Sequence, residues 1–66
     1  MNKLTIYVKD GKQRDELKQR HPDVDADFIN MEQQTELHEM MPMVCIEKNG
    51  QERCEIGEEF IDRLRG

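Results

Sequence analysis

The segment "MPMVCIEKNGQERCEIG", residues 41–57, decides the fold of this 66-residue chain. Asn49-Gly50 is the dipeptide most typical of a two-residue β-hairpin turn, because both residues tolerate the positive φ that the turn requires. The turn is flanked by the segments Met43 to Glu47 and Glu52 to Ile56, which predicts strands over residues 43–47 and 52–56. Counting outward from the turn, Cys45 is predicted to face Cys54 across this hairpin.

Upstream of the hairpin, the sequence pattern predicts first a strand and then a helix. Leu4, Ile6 and Val8 alternate with polar residues, so a first strand is predicted over residues 3–9. Asp10-Gly11 ends that strand. Residues 12–20 are good helix formers and predict a short helix, which has few apolar residues to anchor it.

Two further elements precede the hairpin, and one follows it. Residues 23–30 alternate and predict a second strand. A helix is predicted over residues 31–41, either beginning near Asn30 or capped by Thr35, and Pro42 stops it. A last helix follows in "EEFIDRLRG", residues 58–66. One apolar face is predicted for that last segment, made by Ile56, Phe60, Ile61 and Leu64.

Composition and charge limit the functions that this chain can have. Its length predicts one small domain over residues 1–66. The formal net charge is −5, with +3 in residues 1–22 and −8 in residues 23–66. An acidic majority argues against binding to nucleic acid or to a membrane surface. The N-terminal "MNKLTIYVKD" lacks the apolar run of a signal peptide, so a cytoplasmic protein is expected.

The predicted order, β-α-β-α-β-β-α, and four short segments together resemble the thioredoxin-fold superfamily, in particular glutaredoxins and small thioredoxins. The segments are "LTIYVKDG" (4–11), "INMEQQTEL" (29–37), "MPMVCIEKNG" (41–50) and "EIGEEFIDRL" (55–64). This resemblance implies an α/β domain of minimal thioredoxin fold, with a four-stranded mixed sheet flanked by helices. It covers nearly the whole chain, mostly through order and spacing.

The same resemblance places the family's Cys-x-x-Cys turn directly after the first strand, where this chain has no cysteine. The two cysteine positions fall on Lys12 and Asp15. Neither side chain can perform thiol–disulfide exchange, which needs a thiolate. The resemblance therefore implies no catalytic residue and no cofactor, and it aligns Pro42 with the family's cis-proline. The binding residues that it implies are Gly11, Lys12, Gln13, Arg14, Asp15, Met41 and Pro42.

Three functional hypotheses remain open at this point. The first is a redox-inactive module that binds a protein partner through Pro42 and a basic first helix (Lys12, Arg14, Lys18, Arg20). The second is an oxidoreductase or redox sensor that uses Cys45 and Cys54. The third completes the small domain by homodimerisation, through an edge strand or the first helix.

The cysteine and histidine residues carry further expectations. Cytosolic thiols are usually reduced, so the sequence favours two reduced cross-strand thiols at Cys45 and Cys54 over a disulfide. His21 and His38 are expected to lie on the surface. Their spacing from the cysteines fits no common zinc-ligand pattern, so no metal site is predicted.

Overall fold

A computed structural model describes residues 3–65 of the chain, with side chains described over residues 3–63. Leu64, which we predicted on the apolar face of the last helix, lies outside the described side chains. Along the chain the elements are β1 (Lys3–Val8), α1 (Gly11–Arg20), β2 (Asp27–Asn30), a 3₁₀ helix (Thr35–Met40), β3 (Met43–Lys48), β4 (Gln51–Ile56) and α2 (Glu59–Arg65).

The four strands form one mixed sheet in the order β2-β1-β3-β4. β1 pairs in parallel with β2 and antiparallel with β3, and β4 pairs antiparallel with β3. The chain is thus a small α/β domain with a four-stranded mixed sheet, as predicted. The predicted hairpin is also confirmed. Asn49 and Gly50 have φ values of 54° and 79°, and Cys45 faces Cys54.

The hydrophobic core lies on one face of the sheet, beneath both α-helices. α1 contributes only Leu17 to it, as its composition predicted, and α2 contributes Phe60 and Ile61. Since all three side chains belong to one cluster with sheet residues, α1 and α2 cover the same face. The sheet residues buried in this cluster are Ile6, Val8 and Val44.

Two predicted elements are shorter than expected. The second strand covers only residues 27–30, because the chain leaves α1 in a turn where the Val24 N–H donates to the His21 carbonyl at 3.1 Å. The predicted helix over residues 31–41 is a 3₁₀ helix of six residues. Its N-cap position is Gln34, so the alternatives of a start at Asn30 and a Thr35 cap were both wrong. It buries no residue, hence no apolar face favours α-helical geometry there.

The predicted apolar face around α2 was wrong at Ile56. This residue lies in β4 rather than in the helix, and 60% of it is exposed. It faces Met43 across the hairpin, and its neighbour Glu55 faces the buried Val44. Because strand side chains alternate between faces, Ile56 points away from the helices.

Candidate functional site

The turn that links β1 to α1 is a helix cap. Asp10 is the N-cap, and its carboxylate accepts a hydrogen bond from the Gln13 N–H at 2.8 Å. The Gln13 side chain reaches back, where its Oε1 atom accepts from the Lys9 N–H at 2.8 Å. These reciprocal bonds resemble a capping box, and they satisfy backbone donors that the helix start leaves unpaired. Gln13, predicted as a binding residue, is therefore already engaged in holding the turn.

The charged residues of this turn face solvent. Lys12 and Asp15 are exposed, and Gly11 and Arg14 are half-buried. The Arg14 Nε atom lies 3.4 Å from the Asp15 carboxylate, and this contact is open to solvent and contributes little to stability. Lys12 takes part in no ion pair among residues 3–63. The turn therefore presents one unpaired ammonium group and one loosely held guanidinium group.

Pro42 lies beside the first turns of α1, whereas Met41 does not line the same cavity. A small cavity of about 120 Å³ brings Pro42 together with Gln13 and Leu17 of α1. Glu16 and Arg20 also line the cavity. The Met41–Pro42 peptide bond is cis, as implied above. Met41 is buried and is absent from the cavity lining, so it cannot meet a ligand there.

Two of the four cations predicted to form a basic surface on α1, Lys18 and Arg20, contact other parts of the chain. Arg20 donates to Glu58 at 2.7 Å, and it also lies 3.5 Å from Glu16. The Lys18 ammonium group lies 5.3 Å from the centre of the Phe28 ring, within cation–π distance. Both side chains are thus occupied inside the chain. Lys12 and Arg14 are the part of this helix that a partner can reach without displacing such contacts.

His21 was predicted on the surface, and this was wrong. Only 8% of it is exposed, because it is packed between the end of α1 and the start of α2. Its Nε2 atom lies 3.1 Å from a Glu58 carboxylate oxygen, and its Nδ1 atom lies 3.6 Å from Asp62. A carboxylate oxygen only accepts hydrogen bonds, so His21 donates through Nε2. Glu58 thereby binds His21 and Arg20 at once, which joins the two helices.

His38 is half-buried in the 3₁₀ helix, where its Nε2 atom lies 3.0 Å from the Met31 carbonyl oxygen. The carbonyl accepts this bond, so the imidazole tethers its own loop. No group of three or more His, Cys, Asp or Glu side chains over the described residues could hold a metal ion.

The two cysteines form a disulfide, so the expectation of two reduced thiols was wrong. Cys45 and Cys54 are joined across β3 and β4, and their Cα atoms lie 4.0 Å apart. The physical reason is the register. The Asn49-Gly50 turn places the two residues directly opposite each other, in a pair whose side chains approach closely. Cys45 is 3% exposed, whereas Cys54 on the edge strand is exposed.

Sequence reasoning missed a second concave surface, between the hairpin and α2. It has a volume of about 640 Å³ and an apolar base made by Ile46 and Phe60. Its cationic rim comprises Lys48, Arg53 and Arg63. Alternation along β3 and β4 could have placed Ile46, Lys48 and Arg53 on one face. The contribution of α2 was not visible, because it depends on how the helix packs.

The geometry defines a small α/β domain with a capped, basic helix start, a neighbouring proline and a cross-strand disulfide. No helix over the described residues has the length and apolar character needed to cross a membrane. Comparison with protein-family models, with curated proteins and with solved structures finds no match for this chain.

Proposed function

We propose that this chain is a thioredoxin-like domain that has no dithiol active site and binds a protein partner. The observation that carries the proposal is the first turn of α1. Lys12 and Asp15 occupy the positions that the resemblance gives to the two thiols, and both side chains are exposed. The strand order β2-β1-β3-β4 agrees with the implied fold. A partner would meet Lys12 and Arg14, with Pro42 beside them, and would carry carboxylates to match the two cations.

We expect the variant Lys12→Ala/Arg14→Ala to bind the partner roughly tenfold more weakly, because an interface hydrogen bond to a charged group is worth about 1.5–3 kcal/mol. The measurement is affinity capture from the native host, followed by titration of the captured protein against wild type and variant. Lys3→Ala/Lys48→Ala is the matched control. It removes the same charge at the opposite end of the sheet and should bind as wild type does.

Equal binding by wild type and Lys12→Ala/Arg14→Ala would contradict the proposed surface. An insulin-reduction assay tests the other half of the proposal. The wild-type chain should show no dithiol-dependent reductase activity, since the turn after β1 holds no thiol. Reductase activity would reject a purely binding role.

The disulfide favours a second candidate function, a redox sensor. Cys54 is exposed and Cys45 is buried, so we expect a thiol from solvent to attack the pair at Cys54. A glutathione thiolate would attack the Cys54 sulfur, and Cys45 would leave as the thiolate. A second glutathione would then release Cys54 and form oxidised glutathione, which accounts for both electrons. In such a sensor, partner binding would differ between the bonded and the reduced chain.

We expect glutathione buffers of graded ratio to open and re-form the disulfide reversibly, as measured by mass after thiol alkylation. If the chain is a sensor, the captured partner should bind the oxidised and reduced forms with affinities that differ about tenfold or more, that is by about 1.4 kcal/mol. The double variant Cys45→Ser/Cys54→Ser should behave as the reduced form in every buffer. Identical partner affinity for all forms would exclude the sensor role.

A further inference from the structure

The edge strand β4 is the longer of the two strands at the edges of the sheet, with six residues against four in β2. It lies at one end of the sheet and pairs with β3 alone over residues 3–65. It is six residues long, and every residue of it except Glu55 is exposed. Proteins usually blunt such an edge with charged side chains, a proline, a bulge or a covering element, since an open edge accepts another strand. The charges of β4 are of both signs, so they can pair with those of a second copy. β4 contains no proline, and it pairs residue for residue with β3.

The hairpin register determines which backbone groups of β4 point outward. A two-residue turn is closed by a hydrogen-bonded pair, here Lys48 and Gln51. Hydrogen-bonded and non-hydrogen-bonded pairs then alternate along an antiparallel ladder. The N–H and carbonyl groups of Arg53 and Glu55 therefore point toward β3. Those of Glu52, Cys54 and Ile56 point away from the sheet, available to a further strand.

A second copy of the chain fits this edge in one register. In an antiparallel pair of two β4 strands, the residues whose backbone groups point outward on one copy must face such residues on the other. A two-fold axis between the strands therefore allows only a few registers. Axes centred on Glu52, on Arg53 or on Glu55 would each set a charged residue against its own copy, which is unfavourable. An axis on Ile56 would leave most of the strand unpaired. An axis on Cys54 sets Arg53 of each copy against Glu55 of the other.

We propose that the chain forms a two-fold dimer through β4, with Cys54 on the axis and two Arg53–Glu55 pairs across it. The sheet becomes eight-stranded, and each Glu52 faces Ile56 of the second copy. Within one copy, Glu55 has Arg53 and Arg63 each at 3.4 Å, yet its Oε2 atom is buried and accepts no hydrogen bond. Both contacts are longer than the usual charge-assisted hydrogen bond, so Arg53 and Glu55 can exchange them for contacts with the second copy. The dimer interface contains none of the proposed binding residues Lys12, Arg14 and Pro42, so the dimer does not depend on the proposed function.

Sedimentation equilibrium over increasing protein concentration is the first test. A six-residue edge buries less than the roughly 1,200 Å² of a stable interface, so the dimer should appear in the upper micromolar range. Arg53→Glu sets like charges in both cross-strand pairs and should weaken the dimer about tenfold. Arg53→Glu/Glu55→Arg restores opposite charges and should return the dissociation constant to that of wild type. A monomer at millimolar concentration, or a dimer that Arg53→Glu leaves unchanged, would overturn the proposal.

Cross-linking tests the register itself. Cys45→Ser leaves Cys54 as the one thiol, and a hydrogen-bonded antiparallel pair has its Cα atoms about 5.5 Å apart, within disulfide range. Diamide takes two electrons and two protons from the two thiols and should join the two copies. In Cys45→Ser/Cys54→Ser/Glu52→Cys, the thiols lie four residues apart along the strands, about 13 Å, and should remain separate. Equal cross-linking of both variants would overturn the register. Failure of the Cys45→Ser variant to cross-link, while circular dichroism shows it folded, would also overturn it.

Discussion

Ile61→Ala should unfold much of the protein at room temperature. Ile61 is 1% exposed and belongs to the buried cluster that joins both α-helices to the sheet. Removing such a buried aliphatic side chain costs about 2–5 kcal/mol, from the lost burial and from the cavity left behind. A domain of this size has roughly 3–5 kcal/mol in total from its core. The substitution therefore removes most of the free energy of unfolding.

Urea titration followed by circular dichroism measures this effect, and Ile56→Ala is the matched control. The control removes the same atoms from a side chain that is 60% exposed, on the face of the sheet that carries no α-helix. It should change the unfolding free energy by less than about 0.5 kcal/mol, as surface substitutions usually do. Equal losses from Ile56→Ala and Ile61→Ala would show that the core cluster does not hold the fold together.

Elements specified by their own residues were predictable from the sequence. The hairpin was correct because the Asn49-Gly50 turn acts locally, and its register then placed Cys45 opposite Cys54. The first strand and the first helix were correct for the same reason. The parallel pairing of β1 with β2 fits the predicted order of elements, because a helical crossover joins parallel strands.

What the sequence could not predict depends on contacts between distant residues. His21 was misplaced because it is buried by Glu58 and Asp62, more than thirty-five residues further along the chain. Residues 23–26 alternate as a strand does. They are not a strand because the Val24 N–H donates to the His21 carbonyl in the turn that follows α1. Ile56 fits a helical spacing with Phe60, but it pairs with Met43 in the hairpin and therefore belongs to β4.

The candidate site divides in the same way. The position of Lys12 and Asp15 in the turn after β1 follows from local sequence. The Asp10 cap was not predicted, although its Asp-x-x-Gln pattern is a local signal that could have indicated it. The engagement of Lys18 with Phe28 and of Arg20 with Glu58 does not follow from local sequence. Because these long-range contacts engage Lys18 and Arg20, only Lys12 and Arg14 of the four cations of α1 remain without such a contact to a distant residue among those described. The disulfide was misjudged because the expected compartment was given more weight than the register.

His21→Ala should cost about 1–3 kcal/mol of unfolding free energy, the second-largest loss that we predict for one substitution. His21 is buried at the junction of α1 and α2, where its Nε2 atom donates to Glu58. Alanine would remove that bond and leave a gap between the helices, and Glu58 would keep only the exposed Arg20. His38→Ala is the matched control. That imidazole is half-buried and bonds within its own loop, so its loss should stay near 1 kcal/mol.

A double-mutant cycle with Glu58→Ala isolates the contact between the two helices. If His21 stabilises the fold through Glu58, each single variant already loses the shared hydrogen bond, and the double variant should lose less than the sum. The expected coupling is about 0.5–3 kcal/mol, measured by urea titration at one fixed pH. Additive losses would show that His21 acts only by filling space. The helices would then be held together by the packing of Phe60 and Ile61 on the sheet, without a contribution from the His21–Glu58 hydrogen bond.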